Sequence, residues 1–136
     1  MAVLKNNRHE CELDAIVKAR DVATYTAQIL NNEKAFPKRG RWIIAADISK
    51  HALAAFTCTR CANDIRVETP IDYNYRRLEQ QKAHANLEAL LSLIEIAKGL
   101  YSIETKRIEY WTGLIIKAEA LIDKWRLSDE KRYLNK

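Results

Sequence analysis

Between Ile108 and Trp125 a set of apolar residues, Ile108, Trp111, Ile115, Ala118, Ile122 and Trp125, recurs at alternating steps of three and four. Residues spaced in this way fall on one side of an α-helix, so the stretch is predicted to be a helix with a long face to bury. Leu114 and Leu121 flank the seam and widen it beyond what a single partner helix covers. The segment therefore belongs inside a bundle.

The rest of the chain agrees with that demand. Its 136 residues make one domain, large enough to bury a core unaided. With 48% hydrophobic residues, 30% charged, only 3 Gly and 2 Pro, there is little turn chemistry and much helix-forming material. The expected class is all-α, an up-down-up-down four-helix bundle. No apolar run reaches the ~18 residues that cross a bilayer, and Met1–Asn6 lacks the apolar stretch of a signal peptide, so no membrane contact and a cytoplasmic location are expected. An odd count of 3 Cys in such a chain argues for reduced thiols.

Residues 1–9 are polar and expected to fray ahead of a first helix from Cys11 to Asn32, whose stripe is Leu13, Ile16, Val17, Ala23, Ala27 and Leu30. Arg20 interrupts that stripe. Pro37 suits the first turn of a second helix, Pro37 to Ala62, with Ile44, Ile48, Ala52, Ala55, Thr59 and Ala62 on one face. Thr69, Pro70 and Asp72 give the clearest start signal, a capping box opening a third helix to Lys98, with Gly99 at its end. Its first half is polar; its second half carries more apolar residues than one face holds, with Leu93, Ile96 and Ala97 left over for subunit contacts. Ser102 caps a fourth helix, Ile103 to Ser128, and Asp129–Lys136 forms a charged end.

An up-down-up-down path brings the first and third connections to the same end of the bundle. Residues 33–41 and 98–109 then share that end, with Lys34, Lys38, Arg39, Arg41, Lys98, Lys106 and Arg107 set against Glu33, Glu104 and Glu109. That excess carries most of the chain's net +5 and suits phosphate groups. The opposite end holds Arg60, Arg66, Arg76, Arg77, Arg126 and Arg132, but acids are mixed among them.

Catalytic signatures are sparse. Cys58 and Cys61 have Cys-x-x-Cys spacing without a second pair, so a zinc site would have to recruit His51, or His9 and Cys11. None of His9, His51 and His84 follows a Glu by three positions, which removes the Glu-x-x-His pairs of di-iron bundles. Zinc-protease, nucleophile-elbow and phosphate-loop motifs are absent as well. The expectation is a protein that is not an enzyme, with no metal and no cofactor. At helical spacing Trp111 and Trp125 are expected in the core, whereas for Trp42 beside Arg41 a place in the core and a role in stacking on a base are equally open.

Three stretches carry a resemblance. Ile108 to Leu114, then Trp125 to Asp129 with Arg132 and Tyr133, resemble the last helix of the accessory variability proteins of diversity-generating retroelements. Phe36-Pro37-Lys38-Arg39 followed by Arg41-Trp42 is similar to the opening of that family's second helix, and Ala62-Asn63 to its end. The likeness covers residues 20–133. It implies a four-helix bundle assembled as a ring, a homopentamer, without a catalytic site, that binds the element's reverse transcriptase and its RNA, the template-repeat transcript, or cDNA, during mutagenic retrohoming. By motif match it carries over Lys38, Arg39 and Arg41, and further Arg126 and Arg132; the charge map adds Lys34, Lys106 and Arg107. The related ribosomal-RNA intervening-sequence bundles look alike in fold, and the alternative is a scaffolding bundle of that type without a reverse-transcriptase partner.

Overall fold

The computed structural model describes the backbone from Ala2 to Leu134 and the side chains from Glu12 to Leu134. The chain forms α1 (Ala2–Leu30), a single 3-10 turn (Arg41–Ile43), α2 (Ala45–Asp64), α3 (Pro70–Leu100) and α4 (Thr105–Tyr133). Among the described residues α1 and α3 each pack on both α2 and α4, while the diagonal pairs do not meet. The links Ile65–Thr69 and Tyr101–Glu104 are too short to carry the chain along a helix of about 45 Å, so the helices they join run antiparallel. All four helices pack together as a bundle.

The seam of α4 is the axis of the core. Ile108, Trp111, Ile115, Ala118, Ile122 and Trp125 are all buried, joined by Leu114. Across from them Ile44, just ahead of α2, and Ile48, Ala52, Ala55, Thr59 and Ala62 within it are buried, the face the periodicity predicts. Its alanines let neighbouring backbones approach closely. In α3, Leu87, Leu90, Ile94 and Ala97 are buried, so Ala97 is core rather than surplus; Ile96 does stay exposed. Thr69 opens α3 as a full capping box. Its Oγ1 accepts from the Asp72 amide at 3.2 Å, and Asp72 Oδ2 accepts from the Thr69 and Glu68 amides at 3.0 and 3.1 Å. Those donors hold the Asp72 carboxyl below its usual range, the Glu68 amide contributing most.

Elsewhere the elements depart from their expected bounds. Helix α1 starts at Ala2, ahead of Cys11, so the polar opening expected to fray is helical from there. Its buried face is Ala15, Ala19, Val22, Ala23, Thr26, Ile29 and Leu30, whereas Leu13 and Val17 are exposed. The face is rotated because small residues let α1 sit close to its neighbours, and Arg20 is consequently solvent-exposed. Helix α2 starts at Ala45 rather than Pro37, because Gly40 adopts φ +88° and turns the chain before helix resumes. Glu104, not Ser102, precedes α4. At the other end α4 runs on to Tyr133, and Asp129, expected in a charged tail, is buried.

Candidate nucleic-acid interface

The connection between α1 and α2 folds back over the end of the bundle as a plug. The Ala35 and Phe36 amides both return to the Asn32 carbonyl, at 3.1 and 2.8 Å, and Ala35 and Phe36 are buried. The Phe36 ring meets Trp111 at 6.1 Å, nearly edge-on, and Tyr101 at 5.2 Å between ring centres. Trp111 is itself anchored, its Nε1–H donating to Thr26 Oγ1 at 2.9 Å, and that hydroxyl donates on to the Val22 carbonyl at 2.6 Å. An aromatic cluster that has satisfied its polar atoms makes a firm floor.

Above this floor one hydrogen bond ties the two connections together and a second joins α1 to the start of α4. Tyr101, at the start of the third connection, donates its hydroxyl to the Gly40 carbonyl at 2.7 Å in the first. Tyr25 Oη approaches the Arg107 carbonyl at 3.5 Å. Burial pushes the Tyr25 phenol up, so it stays a donor; Arg107 pulls the other way and Tyr110 adds to the rise. The charge-map expectation that residues 33–41 and 98–109 are neighbours therefore corresponds to direct contacts.

On the rim of this end Lys34, Lys38, Arg39 and Lys106 are exposed, and Arg107 is half-buried. Lys38 Nζ lies 3.3 Å from Glu33, a pair so exposed that it leaves the lysine available. Arg41 differs from the others. Its Nε and Nη2 donate to the Phe36 carbonyl at 3.0 and 2.6 Å, so the guanidinium holds the turn closed instead of facing outward freely. Trp42 is 81% exposed beside these bases, an uncommon place for an indole, and Ile43 next to it is exposed too. An aromatic plate bordered by cations is the arrangement that stacks bases while binding phosphates.

Arg126 and Arg132 do not join this group. They lie toward the C-terminal end of α4, about 30 Å (Arg126) and about 39 Å (Arg132) from Lys106 at ~1.5 Å per residue. Arg126 Nη1 approaches Asp123 at 3.4 Å, and the Arg132 guanidinium lies over the Tyr133 ring at 5.2 Å.

Sequence spacing gave no signal for a polar network buried at that far end. Arg76 on α3 donates to both oxygens of Asp129 on α4 and to Glu12 on α1, and its Nη1 approaches the Ile65 carbonyl at 3.4 Å. Its guanidinium also lies over the Trp125 ring at 5.0 Å. Gln80 adds a further donor to Asp129 at 2.8 Å. Burial raises the Asp129 carboxyl, with Arg76 and Gln80 working against the rise. Such a network joins three helices and reads as structural. The Trp125 indole N–H beneath it is buried with no hydrogen-bond partner among the described residues.

Cys58 is half-buried and Cys61 exposed, and both thiols are free. Burial and the nearby Glu79 carboxylate push the Cys58 thiol up, away from the thiolate that redox or metal chemistry needs. His51, the proposed recruit for a Cys site, is engaged with Asn86 Oδ1 at 2.9 Å. The side chains of His9 and Cys11 lie outside the described residues. A cluster with the character of metal ligands lies instead between α3 and α4, where His84, Glu88 and Glu119 converge.

The fold and its basic end define the class: an all-helical four-helix protein with a cationic, aromatic-bearing end. No family model, no curated protein and no solved structure matches the chain.

Proposed function

We propose that this bundle is a non-catalytic nucleic-acid-binding accessory, of the kind that serves the reverse transcriptase of a diversity-generating retroelement. The observation that carries the reading is that exposed Lys34, Lys38, Arg39 and Trp42 of the first connection share one end of the bundle with exposed Lys106 at the start of α4, where the Tyr101–Gly40 hydrogen bond joins the first and third connections. The likeness in residues 36–42 and 108–133 to the retroelement accessory proteins supplies the partner, a reverse transcriptase with its template RNA.

A ring of subunits would set several such rims side by side and raise the local cation density above what one chain with +5 offers. Exposed apolar residues support self-association. Ile71, Tyr75 and Leu78 make a stripe along α3, and Leu53, Ile116 and Leu127 are exposed on α2 and α4. A homopentamer is the proposed assembly. Among the described residues no helix is long and apolar enough to cross a membrane.

Size exclusion with light scattering tests this, using the protein alone, with a reverse transcriptase of such an element, and with that enzyme plus its template RNA. Co-elution of an oligomer with both is expected. An oligomer indifferent to both would favour the scaffolding alternative, and a monomer indifferent to both would remove the proposal.

A further inference from the structure

His84 and Glu88 stand one helical turn apart on α3, and Glu119 and Asp123 stand one turn apart on the facing side of α4. The bundle thus brings one imidazole and two carboxylates together between two helices, with the Asp123 carboxylate beside the imidazole at the edge. His84 Nε2 lies 3.3 Å from Glu119 Oε2 and 3.5 Å from Asp123 Oδ2. Ligand atoms of His84, Glu88 and Glu119 all fall within 4.8 Å of one another.

Glu119 is a carboxylate only 9% exposed, and among the described residues no lysine or arginine lies within ion-pair distance of it. Its neighbours are the His84 imidazole and, across the helix pair, the Glu88 carboxylate. A buried carboxyl is neutralised either by a proton or by a cation, and a divalent ion at this position would take the proton's place. Arg126 does not fill the gap, because it approaches the other oxygen of Asp123, Oδ1, at 3.4 Å and leaves Oδ2 toward His84.

The spacing decides which cation fits. A tetrahedral ion with ligands at about 2.0–2.2 Å places its donor atoms about 3.3–3.6 Å apart. The two distances from His84 Nε2 lie in that range, so binding needs little movement there. An imidazole among the donors favours a first-row transition ion over Mg2+ or Ca2+, which take oxygen alone.

We propose that His84, Glu88 and Glu119, with Asp123 completing the set, bind a single first-row divalent cation, Zn2+ fitting best, and that the ion clamps α3 to α4. The site is independent of the basic end and of the thiols.

Chelator-stripped protein titrated with Zn2+ alone by calorimetry tests the proposal. One ion per chain at micromolar affinity or tighter is expected, with a rise in Tm on loading. Glu119→Gln and His84→Ala should each weaken binding at least about tenfold, and the Cys58→Ser/Cys61→Ser double variant should bind as the parent does. Co2+ in the same site should give the intense visible absorption of a tetrahedral ion, absent in His84→Ala. Asp123→Asn, a milder change at the half-exposed edge, guards against loss of fold in the other variants and should also weaken binding. Failure to saturate in the millimolar range, binding unchanged by His84→Ala and Glu119→Gln, or binding abolished in the cysteine double variant would overturn it.

Discussion

Arg76 holds Asp129 with two prongs, Nε at 2.7 Å and Nη2 at 3.1 Å, in a pair that joins the polar half of α3 to the end of α4 away from water. Removing one partner strands the other as a buried charge, which typically costs about 3–5 kcal/mol. Asp129→Ala should therefore destabilise the fold by that amount in urea unfolding. An Arg76→Met/Asp129→Leu/Glu12→Gln triple variant should recover part of the loss, because it removes the three charges together and leaves the Gln80 amide without its acceptor.

Phe36 should matter for stability although it lies in a connection. Its ring is fully buried between Trp111 and Tyr101, so Phe36→Ala leaves a cavity under the basic rim and should cost about 3–5 kcal/mol. Chemical unfolding measures that loss. Hydrogen exchange should show protection falling first in residues 31–44.

Glu119 makes the metal-free protein sensitive to pH. Burial, then the hydrogen-bonded Glu88 carboxyl and the Asp123 charge, raise its carboxyl from 4.5 to about 8. A folded-state value above the unfolded one means that protonated Glu119 favours the fold. Its contribution is complete below 4.5 and is lost as pH climbs toward about 8. The groups that face Glu119 from α3 are His84 and Glu88, and Asp123 lies one turn on along α4. In the presence of a chelator, Tm should fall across that window for the parent and fall less for Glu119→Gln.

Trp42 separates binding from stability. At 81% exposure its removal should change stability by less than about 0.5 kcal/mol. Trp42→Ala should nevertheless weaken single-stranded RNA binding by about 1–3 kcal/mol if one base stacks there. Fluorescence anisotropy with a short labelled RNA, beside a thermal melt, reads both quantities.

Where a helix buries large residues at regular steps, as α4 does through Trp111, Ile115 and Ile122, its inward face is legible in the sequence, and the capping box at Thr69 and Asp72 is a local code. In α1 the residues facing inward are mostly small, Ala15, Ala19 and Thr26, and larger Leu13 and Val17 point out. Periodicity weighted by hydrophobicity selects the wrong face there, since closeness of approach decides it. The polar half of α3 hid Arg76 and Gln80 because their partner Asp129 lies on another helix, set by the packing of α3 on α4. Of the candidate site, the shared basic end followed from helix connectivity. That Arg41 is engaged with the Phe36 carbonyl required the turn geometry imposed by Gly40.

The most direct measurement is the salt dependence of RNA affinity for the parent and for a Lys34→Glu/Lys38→Glu/Arg39→Glu/Lys106→Glu variant, which spares Arg41 and so leaves the turn closed. The account predicts affinity that falls steeply with salt, and a variant whose log–log slope is shallower by about 0.7 for each single-strand phosphate it no longer neutralises, with an unchanged melt. Parent affinity that is flat in salt, or a variant that binds as the parent does, would contradict it.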